Sequence, residues 1–148
     1  MSFDTKAFTR AKYVPRTKKI SISSLKEFFA DGDINEFVIR GLDIVEFVKT
    51  TEANKRNNNI DSVVRAFTID REKVEAIKEL LGVVSDDVPK EVSSRLETLV
   101  YGCIDPRFDL QQARIFADRF PVDFWYITQE IMILTGLGMD LKKSSPSG

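Results

Sequence analysis

Apolar residues along this chain fall mostly at helical spacing. Val74, Ile77, Leu80 and Leu81 stand at i, i+3, i+6 and i+7, the single stripe that an amphipathic helix buries. Asp70 precedes them as a cap and Gly82 follows as a stop, since glycine adopts the left-handed backbone that closes a helix. Val92, Leu96, Leu99, Val100 and Cys103 repeat the pattern at i, i+4, i+7, i+8 and i+11, with Pro89 in the first turn, where its missing N–H breaks no bond. Asp109 with Gln112 reads as a capping box ahead of Leu110, Ala113, Phe116, Ala117 and Phe120. Between these two helices, Ile104-Asp105-Pro106-Arg107-Phe108 is a break. Phe120-Pro121 ends one helix and opens the last, over residues 121–135, with Gly136 as its cap.

Earlier elements are shorter. Ser24 with Glu27 reads as a capping box for a helix over 25–30, and Asp31-Gly32-Asp33 as the turn that ends it. Asp43 with Glu46 caps a helix to about residue 55, whose apolar side is Ile44, Val45, Phe47 and Val48. The Asn-rich run 55–59 stops it, and a short helical piece is expected over 61–66. Ile20-Ser21-Ile22-Ser23 alternates at period two, and Phe37-Val38-Ile39-Arg40-Gly41-Leu42 is rich in strand formers. These segments are expected to pair as a short two-stranded element near residues 20–42. The expected fold is mainly α, with five to seven helices in one domain over 20–138. A basic flexible arm over 1–19 precedes it, and a disordered polar tail over 139–148 follows.

Composition narrows the chemistry. The chain has 148 residues, about one domain. Its formal net charge of −1 gives no global attraction to nucleic acid or to an anionic membrane. Histidine is absent, which removes the commonest general base and the commonest metal ligand together. Cys103 is the only cysteine and has no partner for an internal disulfide. Its place after an apolar stripe reads as a buried small hydrophobe, with a reactive thiol as the alternative. No Walker loop occurs, and Gly136-Leu137-Gly138 follows a helix rather than a strand, so it is no dinucleotide loop. Asp86-Asp87, Asp105 and Asp109 lack the spacing of a calcium loop. The expectation is a non-enzyme with no cofactor and no metal. The longest apolar stretch, 122–137, is broken by Asp123 and Gln129-Glu130 and is too short to span a bilayer.

Charge is unevenly placed. Lys6, Arg10, Lys12, Arg16, Lys18 and Lys19 face only Asp4 within the first 19 positions. Three uses are open for this segment: a mobile arm, a nucleic-acid arm, or an arm that orders on a neighbouring subunit. Eleven of the 15 aromatics are phenylalanine, which suits core filling or apolar contact surfaces.

The last helix carries the positive signal. From Val122 to Leu134 nine of 13 residues are apolar, more than one buried stripe needs. Phe124, Ile127, Ile131 and Leu134 form such a stripe, while Trp125, Tyr126, Met132 and Ile133 lie largely off it. Either this helix is central and wrapped on all sides, or part of it faces a partner. Phe124, Trp125, Tyr126, Ile127, Met132 and Ile133 are the candidate protein-binding residues, since Trp, Tyr and Met are favoured at adaptable interfaces.

Three stretches resemble the tail assembly chaperones of long-tailed, non-contractile bacteriophages. Phe37-Val38-Ile39-Arg40-Gly41-Leu42-Asp43-Ile44-Val45-Glu46 is similar to that family's extended segment, Arg-Gly-Leu turn and capped helix. The run from Ile104-Asp105-Pro106-Arg107-Phe108 through Ala113 to Phe120-Pro121, then Ile127 to Gly136, resembles its closing helices with their terminal Thr-Gly. Lys142-Lys143 in a short Ser/Pro tail resembles the site where such genes shift reading frame. The resemblance implies a short, non-frameshifted product that binds the tape measure protein and keeps it soluble while the tail tube polymerises. It also implies self-association, contact with tail tube protein mainly through a longer frameshifted form, and residence in the host cytoplasm rather than in the mature virion. The basic arm has no counterpart in the family pattern. The alternative is a small helical nucleic-acid-binding or regulatory protein, which the net charge and the lack of a basic recognition helix oppose.

Overall fold

The alternation around Ile20 produces a strand, Thr17–Ser21, in which Ile20 alone is buried. Its partner is Glu36–Arg40, which buries Phe37 and Ile39 on one face. The computed structural model describes residues 2–53 and 90–142. Within them the order is α1 (Thr5–Arg10), β1 (Tyr13–Val14), β2 (Thr17–Ser21), a 3-10 helix (Ser23–Phe28), β3 (Glu36–Arg40) and α2 (Ile44–Thr51). Then come α3 (Lys90–Gly102), β4 (Cys103–Asp105), α4 (Leu110–Arg119), α5 (Pro121–Gly136) and β5 (Asp140–Leu141). The helix expected over 70–82, the piece over 61–66, the polar run 55–59 and Lys143 lie outside the described residues, as does the end of the helix expected to reach residue 55.

The mainly α expectation is overturned: the described residues hold two antiparallel sheets beside the helices, so the fold is mixed α and β. One sheet has the order β2-β3-β4, and the other pairs β1 with β5. The expected ribbon near 20–42 is present as β2 on β3, with Ile20 opposite Phe37. The third strand was hidden because Cys103 continues the apolar stripe of α3. Gly102 ends that helix, and Cys103 instead pairs with Ile39, while Asp105 pairs with Val38 across a register shift. The second sheet was hidden because its strands are two residues long. Tyr13 faces Leu141 and Val14 faces Asp140, and the Lys142 amide donates to the Lys12 carbonyl at 2.8 Å. The arm and tail segments thus meet each other, and the boundary drawn at residue 20 falls inside β2.

Two helix starts follow the expected chemistry and one does not. Asp43 with Glu46 and Asp109 with Gln112 both form complete capping boxes, each satisfying two N–H groups that the first turn leaves open. Ser24 does not cap. The 3-10 helix begins after Ile22 without a side-chain cap, and Ser24 Oγ donates to Asp123 Oδ2 at the start of α5, 2.5 Å away.

The core lies between β3, α3, α4 and α5. Ile39, Leu96, Leu99, Ile127 and Ile131 are fully buried there. Phe37, Phe116 and Phe124 link the sheet to both C-terminal helices through tilted ring contacts of 6.3 and 6.2 Å. The closest approach is made by Gly102. A Cβ at that position would lie 2.6 Å from Ile131 Cγ2 and 2.8 Å from its Cδ1, and Ile131 has no exposed surface into which to move. Gly102→Ala is therefore expected to lower unfolding free energy by about 1–3 kcal/mol, the usual cost of overpacking, as read from the urea midpoint with an unchanged slope.

Candidate protein-binding surface

A helix of 16 residues with one buried stripe has an opposite face to account for. In α5 the buried side is Phe124, Ile127, Thr128, Ile131 and Leu134. Across the helix from them stand Val122, Tyr126, Ile133 and Leu137, spaced i, i+4, i+11 and i+15, with exposed Gln129 between the two apolar pairs. The apolar four are 79 %, 47 %, 48 % and 61 % exposed. At 1.5 Å per residue this stripe runs for about 22 Å. The helix is therefore central on one side and open on the other.

The six candidates separate accordingly. Trp125, Tyr126 and Ile133 are exposed. Met132 is half-buried and lines a cleft of about 510 Å³ between α5 and α2, together with Leu42, Ile44 and Phe47. Phe124 and Ile127 are core residues, 3 % and 0 % exposed, and cannot touch a partner in the folded chain. Val122 and Leu137 belong to the surface although neither was among the candidates. Their signal was present in the sequence as a second helical period running outside the first. Across the cleft, α2 leaves Ile44, Val45 and Val48 exposed, so the apolar side expected for that helix faces outward over much of its length.

Polar contacts hold this surface in place. Arg95 lies over Trp125, its Cζ 3.5 Å from the ring centroid, a favourable cation–π position. Its guanidinium donates to Thr128 Oγ1 at 2.8 Å and to Gln129 Oε1 at 3.0 Å. Partial burial lowers the Arg95 pKa, against the opposing charge and hydrogen bond of Glu91. Trp125 is thereby a pinned aromatic that still leaves 43 % of its surface open. At the other end of the helix, the Leu42 amide donates to Thr135 Oγ1 at 2.9 Å. A Cβ on Gly41 would stand 3.1 Å from the Leu134 carbonyl carbon. The Arg-Gly-Leu turn therefore sits directly on the end of α5.

That turn is braced by Arg40, which donates to Glu46 Oε1 at 2.8 Å and to Oε2 at 2.6 Å. The Arg40 bond holds the Glu46 carboxyl below its ordinary value of 4.5, with burial opposing. A carboxyl whose folded value is depressed contributes stability that is present above the unfolded value and lost as pH falls through the folded one. Glu46→Gln is accordingly expected to be less stable than the parent chain at pH 7. The gap should close as denaturation is repeated at successive pH values below 4.5. A gap that is constant with pH would show the pair to be irrelevant.

Among the described residues no group of acidic or cysteine side chains is placed to hold a metal ion. No described helix is long and apolar enough to cross a membrane. Cys103 is buried, and desolvation pushes its thiol up to about 12, while Sγ donates to the Pro106 carbonyl at 3.0 Å. It is expected to resist a thiol-specific colorimetric reagent at pH 8 in the native chain and to react fully in denaturant. Compared with known protein families, curated proteins and solved structures, the chain matches none of them.

Proposed function

We propose that this chain is a phage tail assembly chaperone that binds the tape measure protein and keeps it soluble during tail tube polymerisation, without catalysis. The observation that carries the reading is the open apolar stripe of α5. Val122 with Tyr126 and Ile133 with Leu137 face away from the core as two apolar pairs on either side of Gln129, a surface against which a long amphipathic client helix can lay its own apolar side. An exposed apolar face of this kind needs a partner more than it needs a substrate. A second support comes from the resemblance. Arg40-Gly41-Leu42 and Leu134-Thr135, quoted from separate stretches of the family pattern, lie against one another here.

Holding a long client soluble calls for many modest contacts rather than one tight one, because linked sites raise each other's effective concentration. Trp125 and Tyr126 supply amphipathic rings for such contacts, and half-buried Met132 supplies an adaptable one. The test is co-expression with a phage tape measure protein. The parent chain should keep the client in the soluble fraction. Tyr126→Lys with Ile133→Lys should reduce soluble client about tenfold or more, as loss of central interface anchors does, while leaving the circular dichroism spectrum unchanged. A client that is equally insoluble with and without the parent chain would sink the proposal.

A further inference from the structure

Two surfaces remain outside that reading, and they are opposite in character. The first is the N-terminal arm. α1 buries none of its residues, and Phe3 and Phe8 are 71 % and 56 % exposed. Phe3, Phe8 and Tyr13 contact one another in series through tilted rings at 5.3 and 5.8 Å. Around them Lys6, Arg10 and Lys12 make no side-chain hydrogen bond or ion pair among the described residues, whereas Arg16 and Lys18 are paired with Asp140 and Glu130. The first 19 residues carry six basic groups and one acidic, a net +5, so the remainder of the chain carries −6 to reach the total of −1.

The second surface is a pocket of about 540 Å³ whose walls are largely Phe28, Phe29, Phe37, Phe108, Phe116 and Phe120. That size lies within the range of roughly 300–1,000 Å³ that ligand sites occupy. Phe28, at its edge, is 71 % exposed. The side formed by the 3-10 helix and the approach to β3 is acidic, with Glu27, Asp31, Asp33 and Glu36 against Lys26. Asp33 lines the pocket itself, as does Asp105. None of these four carboxylates on the 3-10 side has a side-chain partner among the described residues. Arg107 and Arg119 line the pocket as well and balance Asp33 and Asp105, so the acidic excess that would meet a cationic occupant lies beside the pocket, at Glu27, Asp31 and Glu36.

We propose that the arm of one copy seats on the phenylalanine pocket of a second copy, its phenyl rings in the pocket and its free cations against the 3-10 side. Within one copy the arm is held elsewhere, because Tyr13 and Val14 pair with β5 and no arm residue lines the pocket. Arm and pocket are different surfaces, which makes the contact heterologous, and repetition of a heterologous contact yields rings or open head-to-tail chains. Opposite charges across it set the register and speed the encounter. The inference does not rest on the identity of any client, and its test contains none.

Sedimentation velocity on the full chain, across concentration and salt, reads the outcome. The parent chain should self-associate, and more weakly as salt rises. Lys6→Glu with Arg10→Glu, or Glu27→Lys with Asp33→Lys, should each weaken association about tenfold, and a mixture of the two variants should restore it. Phe8→Ala, at an exposed position, should weaken it without any charge change. A second measurement needs no equilibrium. A Phe3→Cys chain mixed with a Phe28→Cys chain should form a mixed disulfide faster than either does with itself, since native Cys103 is buried. A chain that stays monomeric, association indifferent to both charge reversals, or crosslinking confined to like pairs would overturn the proposal. So would salt-dependent DNA binding by the arm without self-association.

Discussion

Two glycines set how closely the rest of the chain can approach α5. At Gly102 the end of α3 lies against Ile131, and at Gly41 the end of β3 lies against the backbone at Leu134 and Thr135. Neither contact has room for a Cβ without displacement of its neighbour. Dense packing of this kind transmits any misfit to the surrounding side chains. The sheet depends on it, because β4 begins at the residue after Gly102 and pairs back onto β3. The capped start of α2 depends on it as well, because Asp43 follows Gly41 by two positions. α5 is therefore a pillar against which strand, turn and helix are set in register.

Polar groups around the pillar add direction rather than bulk stability. Thr135 accepts the Leu42 amide while its own hydroxyl donates to the Ile131 carbonyl at 2.8 Å, so one side chain joins the turn to the helix. Lys18 reaches across from β2 to Glu130 at 2.9 Å. That pair is largely solvated on the lysine side, and exposed pairs contribute little by themselves. Arg95 differs, because its guanidinium is shared among a ring, a hydroxyl and an amide on α5. A planar fork with several simultaneous partners fixes orientation in a way a lysine cannot. These contacts fix how α5 sits against β2, α3 and the turn at Leu42, and so which of its sides faces outward.

What could be read from the sequence was what short-range chemistry controls. The Asp43 and Asp109 boxes were legible because donor and acceptor are three residues apart and need nothing else. β2 and β3 were legible from period and residue type. β4 was not, because three residues after a helix carry no period, and Cys103 happens to extend the helical stripe before it. Ser24 misled for the converse reason: its local pattern suits a cap, yet Asp123, 99 positions away, accepts its hydrogen bond. For the candidate binding surface, the apolar excess in α5 was readable, and so was the stripe that it buries, Phe124, Ile127, Ile131 and Leu134. What misplaced Phe124 and Ile127 among the contact candidates was choosing by residue type rather than by helical face. The phenylalanine pocket was out of reach, since it collects side chains from residue 28 to residue 120.

The arrangement of exposed apolar surface then bears on how a chain this small could hold a long client. A single stripe of about 22 Å covers little of an extended helix, and one such contact would exchange quickly. The remedy is repetition. If copies join through arm and pocket, the outer face of α5 is used by neither side of that junction and recurs on every copy. A client helix laid along such a series meets one weak site after another at high effective concentration, and release of any one contact does not release the chain. Charge takes its place in the same scheme. The arm's excess of positive charge would be neutralised at each junction, so that each added copy brings only its net charge of −1 to the assembly.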